Sequence, residues 1–331
     1  MARKVQKNSL TDENSIKLIK PENRLLLRDF LAYLKSLDRA PSTIYEYQKN
    51  IEAFLVYNVI HNHNKLFTEI TKRDFLRFQD HAIYTLQWSP SRLHTVKSSL
   101  STMSNYIENI LDDEYPGYRN VIKQIGSPPV RRVMQKTVFT EEELQGLLDY
   151  LVEHDKIRQA AALALAMYSG RRKAELLRFR ISDFRDENVL YDSLWKTTNP
   201  IKTKGRGILG KQIHLYVLRD KFKPYLDLLL EDYKKHKVHG DWLFVSYKFK
   251  GKLLSTESLN EWAEEFTKIL GKDFYWHSIR HFFTTMLITQ NVPIDIIQDM
   301  VNWDSASMLQ IYSDVSRDAN LGKFFAEHKI E

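Results

Sequence analysis

The chain has 331 residues, of which 43% are hydrophobic and 27% are charged, and it contains no cysteine. This balance is typical of a folded globular protein, the length favours two domains, and the missing cysteine excludes disulfides, thiolate metal sites and cysteine nucleophiles. No stretch approaches the roughly 18 apolar residues of a membrane helix, and the polar N-terminus lacks the pattern of a secretory signal, so we expect a cytoplasmic protein.

The net charge of +7 is concentrated in the N-terminal part of the chain. Residues 1–137 hold 21 basic and 14 acidic side chains, an excess of 7, whereas the remaining residues hold 28 of each. A basic module joined to a neutral one favours a polyanionic partner, of which nucleic acid is the commonest. A mildly basic surface without such a partner would account for the same excess.

The N-terminal third of the sequence has the pattern of a helical bundle that follows a basic arm. Residues 1–20 are polar and basic with little periodicity, and we predict that they form a flexible arm. From Asn23 onward, apolar side chains recur at spacings of three and four, which is typical of an amphipathic helix. Further helices are expected to begin at Pro41, Thr71 and Ser89. Because no strand pattern interrupts residues 21–123, this segment is predicted to be a small bundle.

A second, mixed part follows a segment rich in proline. We interpret residues 124–137 as an extended linker. Thr140 then opens a helix with a capping box, and Ile157 to Tyr168 have the composition of a buried helix. Residues 188–217 have a β pattern, which ends in a strand over 212–217. The whole chain is therefore predicted to be mainly α with a small β-sheet or hairpin, an α+β fold.

Four short segments of the C-terminal part carry groups that suit chemistry at a phosphodiester. Guanidinium groups can clamp the non-bridging oxygens of a phosphate, and a tyrosine hydroxyl, whose pKa is ordinarily about 10, needs cationic neighbours to act as a nucleophile. In chain order the segments are Ser169-Gly170-Arg171-Arg172-Lys173-Ala174-Glu175-Leu176, Ile201 to Gly207, Trp276-His277-Ser278-Ile279-Arg280-His281, and Val301-Asn302-Trp303 with Tyr312 nine residues later.

In their order and spacing these segments resemble the tyrosine recombinases of the phage-integrase family. The arginine of that family's first box falls on Arg172, and its His-x-x-Arg-His box falls on His277, Arg280 and His281. Its Leu-Gly-His/Trp segment falls on Val301-Asn302-Trp303. The N-terminal part is similar to the family's core-binding domain over Phe30 to Tyr47. The resemblance therefore covers most of residues 23–325.

The resemblance implies an N-terminal SAM-like core-binding bundle and a catalytic domain over residues 138–331, which would close as a C-shaped clamp around duplex DNA. It also implies strand cleavage and rejoining through a 3′-phosphotyrosine intermediate, as in the site-specific recombinase or integrase of a mobile element. Glu175 would orient Arg172, and His281 would link the active-site helix to its neighbours. The implied catalytic set is Arg172, Lys204, His277, Arg280, Trp303 and Tyr312.

Three lysines of the predicted hairpin compete for the protonation of the leaving 5′-oxygen. Counting back from the following strand favours Lys204, whereas the family's frequent Lys-Thr pair favours Lys202, and Lys211 is the third candidate. We assign the role to Lys204 and expect the other basic side chains of the hairpin to contact DNA phosphates. The neighbouring Arg171 is one residue out of register and is not assigned to the phosphate clamp.

Side chains outside the catalytic set are expected to hold the DNA backbone. They are Lys202, Arg206, Lys211, Arg131, Arg132, Ser42, Thr43, Arg92 and Lys97. As partners the resemblance implies double-stranded DNA, a second protomer on each site, a tetramer in synapsis and an accessory directionality factor, with no membrane. The tail 313–331 would dock on a neighbouring protomer, and the alternative is that it packs on its own domain. No cofactor or metal is expected, since the sequence lacks a P-loop and an acidic cluster for two-metal chemistry. The protein would then be associated with the nucleoid.

Two other functions fit the same residues. A recombinase-fold protein without turnover would be a DNA-binding repressor, for instance of a phage, and Ser169 and Asn302 depart from the family's usual Thr and Gly. A type IB topoisomerase shares the chemistry, and the similarity to the core-binding domain argues against it. The complete set of catalytic residues favours the recombinase.

Overall fold

The structure is a computed structural model, and it describes residues 10–129, 138–203, 210–247 and 251–303. Helices make up most of this part of the chain, and the strands form two short antiparallel sheets. The prediction of a mainly α fold with a small β-sheet is therefore confirmed. None of the described helices is both long enough and apolar enough to cross a membrane.

Two units make up the chain, one formed mainly by Ala2–Met134 and the other by Gln135–Lys204 and Lys211–Glu331. The division falls within the segment 124–137 that we interpret as a linker. Each unit has a hydrophobic core of its own. A separate core in each half accords with the length of the chain, because single cores rarely grow to this size.

The described part of the N-terminal unit contains five α-helices. They are α1 (Glu13–Lys17), α2 (Pro21–Ser36), α3 (Pro41–His61), α4 (Lys72–Asp80) and α5 (Pro90–Ile110). Proline occupies the first turn of α2, α3 and α5, where its missing N–H leaves no hydrogen bond unmade. The hydroxyls of Thr71 and Ser89 accept backbone N–H groups and cap α4 and α5, as predicted. The middle of α3, residues 50–58, is buried throughout and forms the centre of the core.

The predicted flexible arm is wrong for residues 12–20. Asp12 and Ser15 form a reciprocal capping box, in which the Ser15 N–H lies 2.7 Å from the Asp12 carboxylate, and α1 follows. Ile19 is buried in the N-terminal core. A helix of five residues is too short to show a periodic pattern, so it is held by its cap and by packing that the sequence does not reveal.

The described part of the C-terminal unit contains seven α-helices. They are α6 (Glu141–Glu153), α7 (Ile157–Ser169), α8 (Lys173–Leu176), α9 (Arg219–Lys235), α10 (Thr256–Leu270), α11 (Trp276–Thr289) and α12 (Ile294–Val301). The predicted capping box opens α6, since Thr140 and Glu143 each bind the other's backbone N–H. Residues 160–169 of α7 are all buried, and α7 packs against α6, α9 and α11. This packing brings the first box (residues 169–176), at the end of α7, next to the third box (residues 276–281) on α11.

Short strands lie between α8 and α9. They are β1 (Val189–Leu190), β2 (Leu194–Lys196), β3 (Ile201–Lys202), β4 (Gln212–Ile213) and β5 (Tyr216–Leu218). One antiparallel sheet has the order β1-β2-β5, and β3 pairs with β4 in another. The predicted continuous strand over 212–217 is wrong, because it divides between the two sheets at His214 and Leu215. Thr197 makes the break, since its hydroxyl accepts the Leu215 N–H at 3.0 Å and its carbonyl lies 2.8 Å from the His214 Nδ1.

Candidate active site

The turn between α7 and α8 carries the first box. Gly170 ends α7 in the left-handed conformation, with φ at +61°, and donates its N–H to the Ala166 carbonyl at 3.0 Å. A Cβ on Gly170 would lie 2.3 Å from the ring of Phe283 on α11. Both the backbone conformation and the close approach of α11 therefore require glycine at this position.

Arg172 precedes α8 and is held by Glu175 at two points. The Glu175 Oε2 accepts the backbone N–H of Arg172 at 3.0 Å, and Oε1 accepts the Arg172 Nη1 at 3.0 Å. The Glu175 side chain is 3% exposed, whereas the Arg172 side chain is 32% exposed. A buried carboxylate thus sets the rotamer of an arginine that remains accessible.

Arg280 connects three of the sequence segments. It lies on α11 and is 2% exposed. Its Nη1 donates to the Gly170 carbonyl at 2.9 Å, and its Nη2 donates to the Val301 carbonyl at 2.6 Å. One guanidinium therefore binds the first box and the end of α12, two segments that are far apart in the sequence.

The end of α12 places Asn302 and Trp303 next to this arginine. Trp303 is buried in a small apolar cluster that includes Phe283 and Ile297. Asn302 has φ at +54°, in the left-handed region. Glycine adopts that region freely and asparagine tolerates it better than most other residues, so asparagine is compatible with the backbone conformation at this position.

A chain of hydrogen bonds joins the β3–β4 hairpin to the end of α12. The Asn302 Oδ1 accepts the Lys211 Nζ at 3.1 Å, and the Asn302 Nδ2 donates to the Thr203 hydroxyl at 3.4 Å. The Thr203 hydroxyl in turn donates to the Lys211 carbonyl at 2.9 Å. Thr203 and Lys211, next to β3 and β4, are therefore joined to the segment that carries Trp303.

The two histidines of the third box lie on the first turns of α11. His277 is exposed and His281 is half-buried, with ring centroids 4.7 Å apart and ring planes at 81°. Trp276 anchors this end of the helix, because its Nε1–H donates to the Leu259 carbonyl at 2.6 Å. His277 is thus accessible on a fixed helix end, with His281 packed against it.

Arg171 is a residue that we left out of the site on the basis of its register. It is 1% exposed, and its Nε donates to the Ser169 carbonyl at 3.0 Å. Its Nη1 and Nη2 are buried and have no hydrogen-bond partner in the part of the chain that the structure describes. Burial lowers the pKa of this guanidinium to about 9; the Glu175 carboxylate opposes this shift, and the charges of Arg280 and Arg172 add to it. A motif register gives no signal of such burial.

Two of the predicted DNA-contact side chains are engaged within the N-terminal unit. Arg92 donates to the side chain of Asn50. The Lys97 Nζ donates to the Ile125 carbonyl and to the Ser127 hydroxyl, the latter at 3.0 Å. Contacts of these two side chains with DNA would have to compete with these internal bonds.

The remaining predicted site residues lie partly on the surface and partly outside the described residues. Ser42 is exposed and Thr43 is half-buried on the first turn of α3. Lys202 on β3 is half-buried, and its carbonyl accepts a hydrogen bond from Arg178. Outside the described residues lie Lys204, Arg206, Arg131, Arg132 and Tyr312. Within the described ranges, no group of three or more His, Asp or Glu side chains is arranged to hold a metal ion.

Comparison with known proteins identifies the family. The profile described as Phage integrase family matches residues 137–318, more than half of the chain. The chain belongs to the phage integrase family. A tyrosine recombinase of Thermosipho africanus is 27% identical to it over 320 residues, which cover 92% of this chain and 98% of that protein. The SPbeta prophage-derived recombinase-like protein YomM of Bacillus subtilis is 26% identical over 321 residues, which cover 91% of this chain and 92% of that protein.

Solved structures of recombinases share the fold of this phage integrase family member. The XerH site-specific recombinase bound to a palindromic difH substrate, in a post-cleavage complex, has a TM-score of 0.63 at 19% identity, covering 93% of this chain and 98% of that one. A lambda integrase dimer bound to a COC′ core site has a TM-score of 0.62 at 16% identity, covering 86% of this chain and 96% of that one. The shared fold thus extends over both units.

Membership of the phage integrase family confirms the predicted tyrosine recombinase. Tyrosine recombinases are enzymes that transfer DNA strands, so the chain is of that enzyme class, and site-specific recombination is favoured over the repressor. Tyr312 falls within the matched residues, and its role as nucleophile remains a prediction.

Proposed function

We propose that this chain cleaves and rejoins DNA strands at a specific site through a 3′-phosphotyrosine on Tyr312. The observation that carries the proposal is the position of Arg280, whose guanidinium binds Gly170 of the first box and Val301 beside Trp303. Segments that are distant in the sequence meet at this side chain. Their meeting supports a single phosphate site built from all of the boxes.

Arg172 and Arg280 balance the charge of the scissile phosphate in this proposal. A phosphodiester carries one negative charge and gains a second as the nucleophile adds. Guanidinium groups in fixed positions stabilise that additional charge without reorganising. The double contact with Glu175 keeps Arg172 in one rotamer, so that its remaining N–H groups are oriented before DNA binds.

The proposed cleavage step is a transesterification. The Tyr312 oxygen forms a bond to phosphorus while the bond from phosphorus to the 5′-oxygen breaks. His277 assists removal of the phenolic proton or bonds the phosphate, and Lys204 supplies a proton to the departing 5′-oxygen. Trp303 packs the pocket and presents its indole N–H. Rejoining reverses these steps with the 5′-hydroxyl of the incoming strand, so the number of P–O bonds is conserved and no ATP is needed.

The proposed substrate is double-stranded DNA, with two protomers on each site and four in synapsis. Analogy supports this arrangement, since lambda integrase has been solved as a dimer on a core site and as a tetramer on a Holliday junction. The basic excess of residues 1–137 suits a phosphate backbone. The same proposal includes docking of the tail 313–331 on a neighbouring protomer and an accessory directionality factor. It also places the protein in the cytoplasm, bound to the nucleoid.

Covalent trapping tests the proposal. A DNA site is first selected from fragments of the source genome by binding to the full chain. Nicked duplexes of that site are then incubated with the wild type and with Tyr312→Phe. We expect a denaturation-resistant protein–DNA adduct from the wild type only. Specific binding without an adduct from either protein would contradict the enzyme and favour the repressor, and plasmid relaxation without strand exchange would favour a topoisomerase.

A further inference from the structure

Arg171 is a buried cation that lacks the partners which a buried guanidinium normally has. Its Nε–H reaches the Ser169 carbonyl at 3.0 Å, while Nη1 and Nη2 are buried without a partner in the described ranges. Arg280, which is buried to a similar degree, donates from both Nη atoms to backbone carbonyls. Unpaired buried donors cost free energy, and a buried charge without a counterion costs more. The environment of Arg171 therefore disfavours a charged side chain at this position.

Packing does not explain the presence of a charge at this position. A hydrocarbon side chain of similar length would fill the same volume, and replacing buried charges by apolar groups is often neutral or stabilising. Burial lowers the pKa of Arg171; the Glu175 carboxylate opposes this shift, and the charges of Arg280 and Arg172 add to it. Unfavourable arrangements of this kind occur at functional sites, where stability is lost for the sake of a reaction.

The charges around the first box leave a positive excess. Arg171 and Arg280 bind the carbonyls of two consecutive residues of the turn, and Arg172 follows directly in the chain. The carboxylate that these contacts include is Glu175, which is bound by Arg172. Among these contacts of the described residues, three guanidiniums are accompanied by one carboxylate, an excess of two positive charges. A phosphodiester under attack by an oxygen nucleophile carries two negative charges, so its transition state would balance this excess.

We propose that Arg171 is a positioning residue for strand cleavage, a buried cation whose charge stays unneutralised until the scissile phosphate binds at Arg172 and Arg280. The inference rests on the proposed function, because it needs a phosphate at that pair. In this proposal Arg171 acts through its charge and not by direct contact with the phosphate. Its charge raises the attraction of the pair for the phosphate, and its Nε–H holds the turn that carries Arg172.

The first test measures the thermal stability of the full chain with and without inorganic phosphate. Arg171→Met keeps the length of the side chain and removes its charge, and Arg185→Met is the control, because the Arg185 side chain is 65% exposed in the same unit. In chloride buffer we expect Arg171→Met to raise the Tm by about 3 °C or more, since a buried unpaired charge is lost. At constant ionic strength, phosphate should stabilise Arg171→Met roughly half as much as Arg185→Met, or less.

The second test removes the charge from the DNA instead. Nicked duplexes carry either a phosphodiester or an uncharged methylphosphonate at the scissile position. With an effective dielectric of about 20 around the site, we expect Arg171→Met to cleave the phosphodiester about 10- to 50-fold more slowly than the wild type. The methylphosphonate transition state carries one negative charge instead of two, so the loss there should be smaller, about 3- to 7-fold. Arg171→Lys, which keeps the charge, should recover most of the rate on the phosphodiester.

The outcomes separate a functional charge from a structural one. A lower Tm of Arg171→Met in chloride would show that the guanidinium is an ordinary structural partner, and a phosphate response equal to that of Arg185→Met would show that it receives no anion. Equal losses of rate on both DNA substrates would assign the effect to a damaged fold. Each of these results overturns the inference. If the wild type forms no adduct on any selected site, the proposed function fails, and the phosphate-dependent Tm still decides whether Arg171 responds to an anion.

Discussion

At the scale of single residues, the position of Arg172 is set by its neighbours in the first box. Gly170 turns the chain at the end of α7 and leaves room for the ring of Phe283. Glu175 then binds both the backbone N–H and the guanidinium of Arg172. Gly170 acts on the fold of the turn and Glu175 on the orientation of one side chain, so substitutions of the two should have different consequences.

Replacing Gly170 by alanine should destabilise the C-terminal unit by about 2–4 kcal/mol. Left-handed strain accounts for about 1 kcal/mol, and overpacking against Phe283 accounts for about 1–3 kcal/mol. Urea unfolding of the full chain measures the change. Gly146→Ala is the matched control, because Gly146 lies within α6 with open space around it. Alanine there should raise the free energy of unfolding by about 0.5–1 kcal/mol. Equal effects of the two substitutions would contradict the explanation.

Changing Glu175 to glutamine should slow strand cleavage and leave DNA binding nearly unchanged. The amide keeps one oxygen for a backbone N–H, but its NH₂ group cannot accept from the Arg172 Nη1. We expect single-turnover cleavage to fall about 10- to 100-fold and the Kd to change less than about threefold, because a mispositioned guanidinium acts mainly on the chemical step. Glu187→Gln, at an exposed pair with Arg185, is the control and should alter neither quantity. Equal losses of rate and affinity would assign Glu175 to binding instead.

At the scale of elements, the parts of the fold that follow from local signals could be predicted. Ile19 shows where local signals end, because the short α1 is held by burial of that side chain and not by a periodic pattern. The division of the strand 212–217 is also non-local, since the Leu215 N–H bonds to Thr197 in another part of the chain. The helix starts that local capping did predict are those at Thr71, Ser89 and Thr140.

The candidate site shows the same limit. The order of the four segments predicts Arg172, His277 and Arg280 as site residues, because a family pattern fixes which residue types occur at which spacing. Burial of Arg171 could not be read from that pattern, because it depends on how α7 and α11 pack around the turn. The bond from Lys211 to Asn302 likewise joins two elements whose contact is set only by the folded chain.

We propose that Lys204, which lies between β3 and β4 in the sequence, protonates the leaving oxygen. A substrate with a 5′-bridging sulfur has a leaving thiolate that needs no proton, so it should restore cleavage to a variant that lacks only the general acid. We expect Lys204→Ala to lose at least about 100-fold on the natural diester and to recover most of that loss on the sulfur substrate. Lys211→Ala, which breaks the bond to Asn302, should show no such selective recovery. Selective recovery of Lys211→Ala, and not of Lys204→Ala, would transfer the role to Lys211.

At the scale of the whole molecule, the net positive charge and most of the candidate catalytic residues fall in different parts of the chain. The excess of basic residues falls within 1–137, whereas Arg172, Arg280 and Trp303 belong to the C-terminal unit. Affinity for DNA should therefore depend mainly on the release of counterions by the N-terminal part, and the rate of cleavage on the C-terminal site. This separation predicts that substitutions in residues 1–137 change the salt dependence of binding more than the rate of cleavage.

Arg131 and Arg132, in the predicted linker, test that separation. Replacing both by alanine should lower the slope of log affinity against log salt by about 1.8, because each phosphate contact contributes about 0.9. Lys97→Ala is the matched control, because it also removes a positive charge. The Lys97 Nζ bonds to the Ile125 carbonyl and the Ser127 hydroxyl, so its loss should lower the Tm. The slope of log affinity against log salt should change by less than about 0.3. Affinities are measured at several salt concentrations on the selected site and on an unrelated duplex. An unchanged slope for the double variant would exclude phosphate contacts by this pair, and a large change for Lys97→Ala would show that its ammonium leaves its internal partners for DNA.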